Sequence, residues 1–412
     1  MMPKQQSLLF PLLQTLDEAG GQMRPAEVYD ALARRVGLPE QDRHRLTTNG
    51  AEGRPINHWE RTVRNVRQAA TRQGLIENEP GRRTFNLWAL TEKSKRGLKN
   101  VRPGVIVTVF TTGLGRSLWA ECQTAVSLFD DDSVDLILTS PPYPLLTRKQ
   151  YGNLDAQSHV SWLYDVFSAW KEKLSPTGSL VINMADTWTR GEPTLSLYQE
   201  RLVIRLCDEA GYSLCEKLFW QQPSKMPGPA EWVNVRRVRV TPSVEQVWWL
   251  AKSPSCKADN RNVLREYSES MRALLGGGGE RRGRLRPSGN SLREGSFAAD
   301  NGGSIAQTLL VAANTASNDA YQRLCREAGL PVHPARFPEA LPEFFIKFLT
   351  EPGDLVADIF GGSTVTGGVA ERLGRRWASV EKSLAYAAGG MFRFNAQALD
   401  CVNQDALELA LA

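Results

Sequence analysis

The sequence has no apolar run near the roughly 20 residues that a membrane-spanning helix needs, so a helical membrane protein is not expected. Its six cysteines, Cys122, Cys207, Cys215, Cys256, Cys325 and Cys401, are scattered, and none belongs to a CxxC pair. That spacing argues against a zinc site and fits a reducing cytoplasm. No other metal-ligand constellation stands out. The opening segment, MMPKQQSLLFPLLQTLDEAGGQ, turns acidic and polar after a short apolar stretch and does not read as a signal peptide. Compositional extremes are missing as well: 42% apolar and 23% charged residues exclude wholesale disorder. What remains is a chain of 412 residues. That is long for one compact domain and suggests two, with room for a large insertion.

The net charge of +5 is unevenly placed. Residues 1–100 carry 17 Lys and Arg against 11 Asp and Glu, and the remaining 312 carry 33 against 34. The basic excess therefore sits in the N-terminal quarter and points to a polyanion partner there. A merely solubilising surface is the alternative. The same quarter reads as three helices closed by a hairpin. Leu8, Leu9, Leu12, Leu13 and Leu16 recur at helical spacing in Ser7–Ala19, before the stop Gly20-Gly21. A second helix, Pro25–Val36, buries Val28, Leu32 and Val36. A third, His58–Gln73, has a stripe of Trp59, Val63, Val66 and Ala70 opposite Arg61, Arg64, Arg67 and Arg72. Gly74-Leu75-Ile76, a turn over Glu79-Pro80-Gly81-Arg82-Arg83 and a strand Thr84–Leu90 follow. This is the order of a winged helix-turn-helix, whose third helix suits a DNA groove. With its ending GLIENEPGRRTFNLWALTEKSKRG, the segment resembles the N-terminal winged helix of Mrr-type restriction endonucleases. Docking to protein is the alternative use of such a module. Residues 94–105, with Lys95, Arg96, Lys99, Arg102 and Pro103, read as a basic linker between domains at 1–93 and 106–412.

Two places far apart in the chain carry chemistry. Val134–Thr139 is an apolar run of the kind a buried parallel strand shows, and it leads into Ser140-Pro141-Pro142-Tyr143. Two prolines fix the backbone there, at the strand end where open α/β sheets keep their ligands. The second place is Asp354–Asp358, Ile359-Phe360-Gly361-Gly362-Ser363-Thr364, a helix over Gly367–Leu373, and Trp377–Glu381. Strand, glycine-rich turn, helix and a strand ending in an acid make up a nucleotide-binding βαβ unit. Its carboxylate stands about 20 residues on, where it can take ribose hydroxyls. Alone, the Gly-Gly turn has a plain packing explanation.

Together the two places resemble the DNA amino-methyltransferases that use S-adenosylmethionine. TSPPY is similar to their catalytic motif, DIFGGSTVT and VEKS to their cofactor motifs, and HPARFP at 333–338 to the segment closing over the cofactor. Catalytic motif first and cofactor motif last is the permuted order of the β class, and GSLVIN at 178–183 and FWQQP at 219–223 fall in sequence between them. The resemblance spans roughly 105–395. It implies a Rossmann-like α/β fold, Ser140, Pro141, Pro142 and Tyr143 as catalytic residues, and Phe337, Pro338, Asp358, Phe360, Gly361, Gly362, Ser363, Thr364 and Glu381 as cofactor-binding ones. The chain departs from the commoner cofactor motif at Ile359, Thr364 and Val365, which puts the contacts of Thr364 in doubt.

An exocyclic amine is a poor nucleophile because its lone pair is delocalised into the ring. Acceptors for both of its N–H groups push the nitrogen toward a tetrahedral shape and free that pair. The Ser140 hydroxyl and Pro141 carbonyl are the natural acceptors, and Tyr143 is placed to stack on the base. Catalysis is then mostly positioning, without a metal or a general base, after the base leaves the stack. Serine at position 140 is typical of the family's cytosine-N4 enzymes, and Asp or Asn of its adenine-N6 enzymes, so N4 of cytosine is the expected target and adenine N6 the alternative.

Residues 228–332 fall where the class inserts its target-recognition region. Arg236, Arg237 and Arg239 cluster there, and Gly276–Gly279 open a mobile stretch bearing Arg281, Arg282, Arg284 and Arg286 for phosphates or guanines. An ordinary charged insertion is the plain reading. Pro144–Gln157 is a second mobile candidate, able to close over a flipped base. Trp248-Trp249 is expected in strand core, His159 is not expected to act as a base, and the alanine- and leucine-rich tail is expected only to pack. The expected protein is a cytoplasmic enzyme on double-stranded DNA, monomer or homodimer, with a partner restriction enzyme left open. A catalytically inactive DNA-binding or docking protein and an RNA base methyltransferase are the competing readings.

Overall fold

The computed structural model of the chain describes residues 8–36, 38–48, 55–72, 74–78, 87–91, 104–143, 156–189, 191–285, 287, 289–315 and 319–411. It forms two compact units that divide at residue 100.

In the first unit, Leu12 and Leu16 of helix Leu9–Glu18 meet Val28 and Leu32 of helix Pro25–Arg35 and Trp59, Val63 and Val66 of helix His58–Arg72. Three- and four-residue spacing puts each set on one face, so three stripes close one core. Gly20 and Gly21 stop the first helix with φ of +82° and +90°, a conformation that costs other residues more. The strands β1 (Gln22–Met23), β4 (Ile76–Asn78) and β5 (Trp88–Leu90) form a small sheet in the order β1-β5-β4. A short helix, Glu40–Arg43, and a pair of strands, β2 (Leu46–Thr48) and β3 (Pro55–Asn57), stand before the third long helix. Sequence periodicity misses them because they are short and polar. The turn at Glu79–Arg83, most of the expected strand Thr84–Leu90 and most of the expected linker lie outside the described residues.

The second unit is a ten-stranded sheet covered by helices on both faces. Its strands are β6 (Val107–Thr112), β7 (Gly115–Trp119), β8 (Val134–Thr139), β9 (Leu174–Met184), β10 (Ser213–Gln221), β11 (Val244–Ala251), β14 (Leu309–Val311), β15 (Leu355–Asp358), β16 (Arg376–Glu381) and β17 (Leu399–Val402). A separate hairpin pairs β12 (Arg284–Leu285) with β13 (Ser291–Leu292). The sheet order is β14-β10-β11-β9-β8-β15-β16-β7-β6-β17, and the five neighbours from β9 to β7 run parallel. Helices Ala156–Lys171 and Tyr198–Asp208 bury Val160, Leu163, Phe167, Leu202 and Leu206 in one core, while Phe345, Ile346, Val369 and Ala387 belong to the other. Apolar strands covered on both sides are what a parallel sheet requires, and the Rossmann-like expectation holds. No described helix is long and apolar enough to cross a membrane.

Three expectations change. Residues 228–332 are not one insertion: β11 lies between β10 and β9, and β14 forms an edge of the same sheet. Trp248 and Trp249 are buried in β11, as expected of strand core. The four glycines are not a free tether, because Gly276 ends the capped helix Glu269–Gly276 and a Cβ on Gly279 would come within 2.7 Å of the Ser296 carbonyl. The tail does more than pack, since β17 adds a tenth strand and helix Gln404–Leu411 follows it.

Candidate active site

Strands β8 and β15 are parallel neighbours, so their carboxyl ends meet. Thr139, which closes β8, donates its hydroxyl to Asp358 Oδ1 at 2.7 Å. Thr366, in helix Val365–Arg372, donates to Asp358 Oδ2 at 2.8 Å, and the Phe360 N–H lies 3.2 Å from both Asp358 Oδ1 and Thr139 Oγ1. Burial raises the Asp358 pKa, and these hydrogen bonds act against that rise. The carboxylate thus pins the catalytic strand, the glycine-rich turn and the following helix together. Buried polar groups matched in this way hold a geometry tightly.

Directly after Thr139, the Ser140 hydroxyl donates to the Asn183 carbonyl of β9 at 3.1 Å and lies 3.2 Å from the Tyr143 hydroxyl. Tyr143 in turn donates to Glu245 Oε2 at 3.5 Å. Burial first, and the Glu245 charge second, push the Tyr143 phenol above its ordinary pKa, so it keeps its proton. Glu245 also accepts from Asn183 Nδ2 and Lys225 Nζ, each at 3.0 Å. Sequence reasoning gave Lys225, Asn183 and Glu245 no role. The signal for Glu245 was present: an acid inside the apolar run Val244–Ala251 must find partners when buried. His159 is buried against the rings of Trp162 and Tyr198, and burial drops its pKa to about 4, so it stays neutral at physiological pH.

The second motif lies beside the first. Glu381 ends β16 and accepts from the backbone N–H groups of Gly362 at 2.9 Å and Ser383 at 2.8 Å. Burial pushes its pKa up to about 7 despite those bonds. Gly362 has φ of +50°, and a Cβ there would come within 3.1 Å of the His333 ring. That ring is set by donation from Nδ1 to the Ala335 carbonyl at 2.6 Å and by the edge of Tyr386. The segment His333–Pro338 thereby lies over the glycine-rich turn, and Phe337 packs into the adjoining core. Arg393, another residue without a sequence signal, donates to the Ser363 carbonyl at 3.3 Å and pairs with Asp319.

Residues 134–391 match the DNA methylase family, and residues 6–100 match the Mrr N-terminal domain. The chain belongs to the DNA methylase family. It is similar to the type II methyltransferase M.PvuII of Proteus hauseri, 43% identical over 286 residues, covering 69% of this chain and 85% of that protein. Among solved structures it is similar to the PvuII DNA methyltransferase described as cytosine-N4-specific. That match has a TM-score of 0.58 and 35% identity, and it covers 74% of this chain and 95% of the other.

A methylase needs a methyl donor, and the motif resemblance implies S-adenosylmethionine. The residues fit it. Each Glu381 oxygen takes one backbone N–H and keeps a second acceptor position for a hydroxyl at the strand end, and Gly361 and Gly362 add no side chain to the turn. Asp358 and Thr364 fit less well as direct contacts. Both Asp358 oxygens are taken by threonines, and the Thr364 side chain is wholly buried against Gly367 and Gly390, leaving its hydroxyl without a partner among the described residues. Thr364 contributes a left-handed backbone, φ +57°, that shapes the turn. The Phe360 ring faces Trp162 and Phe167 of helix Ala156–Lys171. Among the described residues no cluster of His, Cys, Asp and Glu could hold a metal ion.

The arginines expected to meet DNA divide. Arg61 and Arg64 are exposed on their helix, Arg64 beside Glu60, whereas Arg67 is half-buried with its guanidinium over the Trp88 ring. Arg236, over the Trp232 ring, and Arg237 are exposed, and Arg237 has φ of +55°. Arg281 and Arg282 are exposed beside the β12–β13 hairpin. The Arg284 side chain, Arg286 and Pro144–Asp155 lie outside the described residues.

Proposed function

We propose that this methylase transfers a methyl group from S-adenosylmethionine to the exocyclic N4 of cytosine in double-stranded DNA, at a specific sequence and on a flipped base. One observation carries the reading: Ser140 has acceptors for its one proton in the Asn183 carbonyl and the Tyr143 oxygen, so its lone pairs are free for an amine N–H. The Pro141 carbonyl takes the second N–H, Pro142 fixes the backbone between them, and Tyr143 stacks on the base. The likeness to a methyltransferase described as cytosine-N4-specific supports the choice of base. When bound, the cofactor supplies an electrophilic methyl group, and the protein aligns the amine toward it. Phe337, Pro338, Phe360, Gly361, Gly362, Ser363 and Glu381 shape that cofactor's site, with Asp358 and Thr364 acting behind it.

The domain at 1–93 is a winged helix that holds DNA through Arg61 and Arg64, and 94–105 links it to the catalytic domain at 106–412. A second reading head raises the effective concentration on DNA. Arg236, Arg237, Arg281, Arg282, Arg284 and Arg286 serve the recognition region. The enzyme works in the cytoplasm as a monomer or homodimer, alongside a restriction enzyme of the same specificity. Tritiated methyl transfer to unmodified amplified genomic DNA, followed by nucleoside mass spectrometry, tests the reading. N4-methylcytosine is expected, and Ser140→Ala should slow its formation by about 100-fold. N6-methyladenine without N4-methylcytosine would overturn the base assignment. Cofactor binding with no transfer to any DNA would favour an inactive docking protein, and faster transfer to RNA would favour an RNA enzyme.

A further inference from the structure

Glu245 has no part in the chemistry described so far, yet it is buried beside it. Its run in β11, Val244–Ala251, is otherwise apolar except for Gln246. The residue is only 9% exposed, and its carboxylate has three donors: Lys225 on Oε1, Asn183 and Tyr143 on Oε2. We infer that Glu245 is a positioning residue that sets the direction of the hydrogen bonds around Ser140 and so keeps Ser140 an acceptor toward the target amine. The inference rests on the reading of Ser140 given above.

Counting protons fixes those directions. A hydroxyl donates once, and a carboxylate only accepts. Lys225 partners the buried charge and keeps it from standing alone. The Tyr143 proton therefore goes to Glu245, and the Tyr143 oxygen can only accept from Ser140. The Ser140 proton goes to the Asn183 carbonyl or to that oxygen, at 3.1 Å and 3.2 Å. In either case the Ser140 lone pairs stay free. If Tyr143 donated to Ser140 instead, it would take one of the two Ser140 lone pairs and leave the amine N–H a single, competed-for acceptor position.

Glu245→Gln tests this with little change of shape. Lys225 would claim the amide oxygen, so the NH2 group would face Asn183, whose amide would turn its otherwise unpartnered oxygen toward it, and Tyr143, whose proton would turn onto Ser140. Single-turnover methylation of unmodified amplified genomic DNA should fall by roughly tenfold to 100-fold. Dissociation constants for that DNA and for S-adenosylmethionine should stay within about twofold of the original. In Lys225→Met combined with Glu245→Gln the amide is free to turn its oxygen toward Tyr143, and no buried charge is left unpaired. This double variant should methylate faster than Glu245→Gln alone, against the further loss that two merely structural defects would add. Full speed in Glu245→Gln, a double variant no faster than the single, or DNA binding weakened in step with rate would each overturn the inference. Ser140→Ala separates it from the reading beneath it. A fully active Ser140→Ala removes both, whereas a slow Ser140→Ala beside a fast Glu245→Gln removes only the role of Glu245.

Discussion

Asp358 and Arg61 show two ways in which this chain places a charge. Asp358 is buried at a strand end and bonded to two threonine hydroxyls and a backbone N–H from three different stretches of chain. Arg61 is exposed on a helix whose buried face is fixed by Trp59, Val63 and Val66. The first kind of charge is held by everything around it and holds its neighbours in turn. The second projects from a helix face into solvent, where little of the surrounding fold encloses it. Methyl transfer needs atoms aligned closely, whereas a polyanion needs only positive charge within reach of phosphates. The same chain encloses the charge of Asp358 at a strand end and leaves that of Arg61 on a surface.

The contrast is sharpest in Asp358→Ala. The Thr139 and Thr366 hydroxyls would lose a buried acceptor, at about 1–3 kcal/mol for each group left unsatisfied, while the Phe360 N–H would keep Thr139 Oγ1. The expected outcome is a loss of about 3 kcal/mol or more, a large share of a marginal stability, with methylation slowed by more than about 100-fold. Urea titration and single-turnover assays would check both. If Asp358→Ala changed stability no more than a surface arginine variant does, the pin described for it would not exist.

The same contrast explains what the sequence made legible. Ser140–Tyr143 and Asp358–Thr364 are runs of neighbouring residues, so both turns could be picked out as candidates before any fold was known. Glu245, Asn183 and Lys225 converge from separate stretches of chain, and only strand pairing brings them together. Their one local sign was an acid in an apolar strand. The three long helices of the first unit were visible from their leucine, valine and tryptophan spacing, but Glu40–Arg43 and the β2–β3 pair carry no period. Arg67 misled for a related reason. Helical spacing placed it with Arg61 and Arg64, and the sequence alone could not show that Trp88 would lie beneath it. The recognition region misled because Gly276–Gly279 reads as mobile when its packing partner, Ser296, is not yet in view.

Glu381 gives a smaller effect with a definite sign. Its pKa stands at about 7, above the ordinary 4.5, because burial penalises the charged form. Above about pH 7 the group is a carboxylate and can accept from cofactor hydroxyls; below it the added proton blocks one acceptor position. Affinity for S-adenosylmethionine should therefore weaken as pH falls from 8 to 6, by at most about tenfold for each unit below 7. Calorimetric titration would show the slope, and Glu381→Gln should flatten it. Arginines do not titrate in this range, so DNA binding by the arginines of the first unit should not follow the same proton. A shared pH midpoint for both ligands would erase the contrast.

The smallest effect should come from the arginines themselves. Arg61→Ala with Arg64→Ala removes two exposed charges without touching the core. DNA binding should weaken by about threefold at moderate salt, and the logarithmic salt slope should fall by roughly 0.9 for each phosphate that is no longer neutralised. Methylation at saturating DNA should be unchanged, since no group at Ser140 or Glu381 moves. Arg67→Ala sets the boundary of this class. Its guanidinium lies 5.8 Å from the Trp88 ring centre, so its removal should cost about 1 kcal/mol of stability in the first unit and leave the salt slope where it was. Equal changes in slope for Arg67→Ala and for the exposed pair would mean that burial does not separate structural from DNA-facing arginines in this helix. An unchanged slope in the exposed pair would instead leave the first unit as a docking module, with its basic excess serving another partner.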